Sequence, residues 1–197
     1  MRDVFDKLYV VTGNPNKAKN SLRVLRGLFG DGVAGHISMD LPELQSLELK
    51  EIVANKLQFA IDNFSGEVSS SDNAYLVVED ISLEFSEMGK LPGTFIKFFV
   101  KELGLQKMCD MVVSDRSATI KCVIGLIKIG DSMANAKFFS SELKGTISRE
   151  PKGEGGFGFD KIFIPNGFGG GTAGELSDTE YERYFAEIRK YNLLVGS

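Results

Sequence analysis

The sequence predicts an α/β fold built on a mixed sheet, and three observations along its 197 residues carry that prediction. The first half alternates short apolar runs with segments of helical period, the pattern of strand–helix units. From residue 117 the period shortens to two, in two β-branched runs joined by Gly130-Asp131 that read as a long antiparallel hairpin. Ten of the 22 glycines then fall between Gly145 and Gly174, where the backbone either approaches something closely or turns between short strands.

Residues 8–11 form a buried strand closed by Thr12-Gly13-Asn14-Pro15. A helix follows over about 16–29, with Leu22, Leu25, Leu28 and Phe29 on one face and Gly30-Asp31-Gly32 as its stop. Residues 36–39 make a second strand leading into Asp40-Leu41-Pro42-Glu43. Leu49, Ile52, Val53, Leu57, Ala60, Ile61 and Phe64 recur at helical spacing, while Lys50, Glu51, Asn55, Lys56 and Asp62 take other faces. A serine-rich loop over 65–73 precedes a buried strand at 75–78, which ends in Glu79-Asp80. Pro92-Gly93 precedes a helix through Ile96, Phe99 and Val100, and helix continues over 103–113. After the hairpin of 117–129 and 136–147, a short strand is expected at 162–164 and a last helix at 178–194. Tyr181, Tyr184, Phe185, Ile188 and Tyr191 give that helix an apolar stripe suited to a core or a dimer face. No repeat and no linker divides the chain, so it reads as one domain.

Composition removes several chemistries. A net charge of -4, from 23 Lys+Arg against 27 Asp+Glu, argues against a binder of duplex nucleic acid, which shows a basic face. The single histidine, His36, excludes zinc sites built on two or three imidazoles and is read as structural. No stretch approaches the roughly 18 apolar residues of a membrane span. Asp3 and Asp6 interrupt any signal-peptide core, so Cys109 and Cys122 are expected as reduced, buried thiols in a cytoplasmic protein.

Four segments offer chemistry. Thr12, Gly13, Asn14, Asn16 and Lys17 lie between a strand and a helix N-terminus, where free N–H groups and the helix dipole favour phosphate. Spacing alone leaves open an ordinary turn with a surface lysine. Glu43, Glu79 and Asp80 are carboxylates suited to Mg²⁺, which takes few protein ligands, or else solvated loop acids. Adjacent strand residues face opposite ways, so Glu79 and Asp80 cannot share one cleft if the strand stays regular. Residues 153–158 match G-x-G-x-x-G but precede a strand rather than a helix, which rules out a dinucleotide site. Phe157 and Phe159 there offer either an aromatic face to a planar ligand or core packing. Lys56, Lys97 and Lys152 have no carboxylate beside them and are candidate phosphate charges or solvated lysines.

Taken in order, Thr12 to Lys17, Asp40 to Glu43, Val78-Glu79-Asp80, Leu91-Pro92-Gly93, Lys97, Gly145-Thr146-Ile147, Gly155 to Asp160 and Thr172 to Leu176 resemble the inosine triphosphate pyrophosphatase family. The resemblance covers nearly the whole chain to about residue 176 and rests on the ordered set rather than on any one piece. It implies an elongated mixed β-sheet flanked by helices, in two lobes with a nucleotide cleft, and a homodimer. It implies Mg²⁺-dependent hydrolysis of non-canonical purine nucleoside triphosphates to monophosphate and pyrophosphate, a house-cleaning of the nucleotide pool. By the same likeness Thr12 to Lys17 and Lys56 hold phosphates, with Lys17 in the catalytic set. Glu43 and Asp80 engage the metal, and Asp80 or Glu79 activates water. Lys97 lies near the ribose or base, and Phe157, Gly158, Phe159 and Asp160 border the base.

The sequence also departs from the family. Phe159 stands where members carry Trp or Tyr, and Lys161 where they carry Pro. Tyr181 takes the place of a lysine, and Phe185, Ala186 and Glu187 replace the Ser-His-Arg that reads the purine's 6-keto edge. Arg183 and Arg189 are the candidate displaced cations, although helical spacing sends both away from Glu187. An altered base preference is expected. The alternative is a non-catalytic nucleotide-binding or dimeric module on the same scaffold.

Overall fold

The structure, a computed structural model, describes residues 5–30, 34–66 and 73–196. Asp3, the Asp31-Gly32 part of the expected helix stop and residues 67–72 of the serine-rich loop lie outside that set. Among the described residues seven strands form one mixed sheet: β1 (Lys7–Val11), β2 (Ala34–Ile37), β3 (Ala74–Phe85), β4 (Pro92–Gly93), β5 (Ser117–Lys128), β6 (Lys137–Ile147) and β7 (Phe163–Pro165). Their order in space is β2-β1-β3-β5-β6-β7, with β4 also on β3. β1 lies parallel to both β2 and β3, and every other pair is antiparallel.

This mixture follows from the connections. Helices α1 (Pro15–Phe29) and α2 (Leu49–Asp62) are the crossovers that parallel pairing requires. β5 and β6 need only a turn, and Gly130 supplies it at φ 93. Helices α3 (Ile96–Leu103) and α4 (Leu105–Asp110) follow β4, and α5 (Asp178–Arg189) closes the chain's last layer.

Alternation along β3 sorts the core. Val77, Leu83 and Phe85 join the large cluster that holds Tyr184, Phe185 and Ile188 of α5. Leu76 and Val78 join a second cluster with Leu57 and Ala60 of α2. The aromatic stripe of α5 is therefore core of this chain, with Tyr184, Phe185, Ile188 and Tyr191 all buried. No helix among the described residues is long and apolar enough to cross a membrane.

Several boundaries differ from the sequence reading. β2 runs over Ala34–Ile37 rather than 36–39, because it pairs β1 from Leu8↔Ala34 to Val11↔Ile37 and ends where β1 ends. β3 does not stop at Glu79-Asp80 but passes through them, since β5 pairs both, at Ile124 and Val123. Gly104, at φ 78, breaks the expected continuous helix of 103–113. α5 ends at Arg189, where Lys190 turns left-handed at φ 42, and a 3-10 segment carries Tyr191 to Ser21 of α1, a hydroxyl pair at 2.9 Å. On α1 the buried stripe is Ala18, Ser21 and Leu25, and Leu28 is 45% exposed. β7 begins one residue later than expected, at Phe163.

Candidate active site

A cavity of about 650 Å³ opens where β1 stops and β3 does not. β1 accompanies β3 only to Val10↔Val77, while β3 runs on to Phe85. The β1–α1 turn fills the vacated side, which brings Thr12, Gly13, Asn14 and Lys17 to the cavity beside Glu79 and Asp80.

Local bonding fixes that turn. Asn14 caps α1, its Oδ1 accepting from the N–H groups of Asn16 at 3.0 Å and Lys17 at 3.2 Å. The Asn14 N–H in turn donates to Thr12 Oγ1 at 3.1 Å. Gly13 lets the turn pack closely: a Cβ there would sit 3.1 Å from the Met39 carbonyl oxygen, which would have to give by a few tenths of an ångström. His36 Nε2 lies 2.9 Å from the Thr12 carbonyl, which ties β2 to the turn and bears out its structural reading. The first turn of α1 carries no acidic residue, so the positive end of the helix dipole faces the cavity unopposed.

Two lysines converge on Asp80. Lys56 Nζ donates to Asp80 Oδ2 at 2.6 Å, and Lys17 Nζ stands 3.9 Å from Asp80 Oδ1. Lys17 also donates to the Glu79 carbonyl at 3.2 Å and approaches Glu79 Oε1 to 3.8 Å. Lys56 was expected on an outer face of its helix. It is instead 9% exposed on the buried stripe of α2, aimed at the even-numbered face of β3. Burial opposes ionisation of Asp80, but Lys17, Lys56 and the Ile81 N–H outweigh it and hold the carboxyl below the usual range.

Glu79, one residue away, turns to the other face of β3 as alternation demands, yet it borders the same cavity as Asp80, so the expectation that the two cannot share a cleft is overturned. Its carboxylate accepts from Arg189 Nε, 2.9 Å from Oε1 and 2.8 Å from Oε2. The Cys122 thiol is 3.7 Å from Glu79 and is pushed well up, first by burial and then by that carboxylate. Both cysteines are buried and free, as their reading had it.

The remaining expected residues divide. Glu43 and Lys97 both border the cavity and pair with each other at 2.8 Å on its exposed side. Lys152 pairs with Glu150 at 3.5 Å and does not line the cavity. All three lysines thought to be free of carboxylates therefore have one, two of them supplied by distant segments. Phe157 and Gly158 line the cavity; Phe159 does too, but is only 7% exposed and belongs to the core. Asp160 lies behind them, accepting from the Phe157 N–H at 2.9 Å, the Tyr181 hydroxyl at 2.7 Å and the Tyr184 hydroxyl at 3.1 Å. Burial pushes its carboxyl up despite those donors. On α5, Phe185 is buried, Glu187 pairs with Lys190 at 3.2 Å, and Arg183 donates to the Gly167 carbonyl at 2.9 Å. The sequence reading missed that Tyr181 and Tyr184 bind Asp160; their i, i+3 spacing was the available signal.

Among the described residues no group of three or more His, Cys, Asp or Glu is disposed to hold a metal. Glu43 and Asp80 nevertheless border one cavity. Mg²⁺ takes one or two carboxylates and completes its shell with water and phosphate oxygens, so the chemistry of either carboxylate suits an ion that arrives on a phosphate ligand.

Residues 8–187 match the model of the Ham1 family. This chain belongs to that family. Within it, inosine triphosphate pyrophosphatase 1 of Trypanosoma cruzi is 32% identical over 179 residues, covering 90% of this chain and 84% of the relative. The inosine triphosphate pyrophosphatase of Scheffersomyces stipitis is 35% identical over 168 residues, covering 80% of each. The Staphylococcus aureus Ham1 protein, a solved structure, superposes with a TM-score of 0.68 over 95% of this chain and 94% of its own, at 21% identity. The Ham1 fold is thus shared, and the family that the ordered motifs resemble is the one the chain belongs to.

Proposed function

We propose that this Ham1-family protein hydrolyses a nucleoside triphosphate at the α–β phosphate linkage, releasing the monophosphate and pyrophosphate, with non-canonical purine nucleotides as the substrate class. The observation that carries this reading is the cation pair Lys17 and Lys56, closing on Asp80 beside the positive end of α1. Two converging lysines, Lys56 buried and Lys17 partly so, and a helix N-terminus in one cavity suit a polyphosphate, and the names of the two pyrophosphatase relatives agree with it.

Each side chain then has a task. Lys17 and Lys56 bind the phosphates, and the dipole of α1 favours the same charge. A triphosphate competes for the two ammonium groups, which frees Asp80 to accept a hydrogen bond from the attacking water at Oδ2, to orient it and to receive its proton. Glu79 does not share that task, because Arg189 engages its carboxylate on the other side of the sheet. Glu43 and Asp80 would hold Mg²⁺, which would neutralise charge on the polyphosphate. Phe157 offers a ring face to the base, and Lys97 stands at the ribose end. By the family likeness the protein is a cytoplasmic homodimer, which sedimentation and fractionation would check.

The test is a panel of nucleoside triphosphates, each with Mg²⁺ and with chelator, read by release of monophosphate and pyrophosphate. Turnover of ITP or XTP that stops with chelator is the expected result. Absence of turnover across the whole panel rejects the proposal, and saturable binding without turnover would leave a nucleotide-binding module.

A further inference from the structure

We infer that Arg189 is a specificity-determining residue of this cavity, its Nη2 donating to a carbonyl oxygen of the nucleobase; the inference rests on the nucleotide reading above. Arg189 is the last residue of α5 and is only 2% exposed. Its Nε binds Glu79, and its guanidinium carbon lies 3.6 Å from the centroid of the Phe185 ring. Its Nη2 is buried and has no hydrogen-bond partner among the described residues. A buried donor without a partner is uncommon, and each one calls for a reason.

The surroundings supply one. Arg189 borders both the main cavity and a side slot of about 40 Å³ enclosed by Ile81, Phe157, Phe159 and α5. Three cations, Lys17, Lys56 and Arg189, stand against two carboxylates, Glu79 and Asp80, in this part of the site. The two lysines share Asp80, and Arg189 is neutralised by Glu79. Arg189 is thus poorly suited to compete for phosphate and well suited to give one directed hydrogen bond to an uncharged acceptor. Stacking on Phe185 and the bond to Glu79 fix the guanidinium plane, so the direction of Nη2 is fixed with it. A ring carbonyl satisfies that donor. An amino group at the same ring position sets donor against donor and leaves it unpaired, which is the arrangement that discriminates strongly. Glu187, where the resembled family keeps its reading arginine, is turned to Lys190 instead.

The experiment compares inosine and adenosine nucleotides. The ratio of kcat/KM for ITP over ATP is measured in the wild type, in Arg189→Lys, and in the double variant Glu79→Leu with Arg189→Met. Arg189→Lys keeps a cation for Glu79 but loses the planar fork, and the double variant leaves no buried charge unpaired. Calorimetric affinities for IMP and AMP give a second readout that does not depend on turnover, and thermal melts report folding. The ratio is expected to fall about tenfold or more in each folded variant, through the oxo-purine arm. An unchanged ratio in a folded, active variant overturns the inference, as does a wild type indifferent to oxo and amino bases. A wild type that neither turns over nor binds any of these nucleotides overturns the nucleotide reading itself.

Discussion

Asp80 is the residue on which the proposed chemistry turns. Asp80→Asn keeps the shape and removes the charge, and kcat should fall by about 10²–10⁴-fold with the fold intact by circular dichroism. Lys56→Met tests the electrostatics from the other partner. Without that ammonium the pull on the Asp80 carboxyl weakens, so its pKa rises and the acid limb of the pH–rate profile moves to higher pH. At this scale the sequence was legible where geometry is strict. Strand parity alone sends Glu79 and Asp80 to different cations, Arg189 and Lys56, but not to different clefts: both border the cavity, and Lys17 Nζ lies 3.8 Å from Glu79 and 3.9 Å from Asp80. Lys56 was not legible, because a lysine on an apolar stripe looks like a misplaced surface residue until its partner on β3, 24 positions on, is known.

At the scale of elements, α5 carries Tyr181, Tyr184 and Arg189 to the site, and its start is held by a reciprocal cap. Ser177 Oγ accepts from the Glu180 N–H at 3.4 Å, and the Glu180 carboxylate accepts from the Ser177 N–H at 3.1 Å. Ser177→Ala should cost about 1 kcal/mol, read as a lower urea midpoint with an unchanged slope. The beginning of this helix was legible from such cap residues, but its end was not. Lys190 takes the left-handed turn with neither glycine nor proline to announce it. β3 was read short for a similar reason: the expected strand was traced by its apolar residues, and two acids ended the trace. The strand survives them because each acid finds a buried cation, Arg189 on one face and Lys56 on the other.

For the whole molecule, two carboxyls, Asp80 half-buried and Asp160 buried, act on stability with opposite sign. Asp80 has a depressed value, so its contribution is present above the unfolded carboxylate pKa and lost as pH falls through the folded one. Asp160 has a raised value, so its contribution is full at acid pH and declines as pH climbs from the unfolded pKa through the raised folded one. Tyr184→Phe separates them. It removes a donor to Asp160, and a hydrogen bond to a carboxylate is worth more than one to a neutral acid. The loss should be about 1–3 kcal/mol at neutral pH and smaller once Asp160 is protonated, measured by denaturation across pH. The α/β class and the sheet's change from parallel to antiparallel pairing were legible from the change of period. The cavity was not, since it arises from unequal strand lengths, which no local pattern records.

That inequality has a further consequence. Among the described residues, 78–82 of β3 have no strand on the side that β1 has left and β4 has not yet reached. A strand edge left unpaired is a template on which a strand from another molecule can add, and here the β1–α1 turn covers it. Lys17 occupies the Glu79 carbonyl on that edge. The amine assigned to phosphate thus also guards against self-association, and nucleotide in the cavity would screen the same edge, making the ligated protein the more resistant to aggregation.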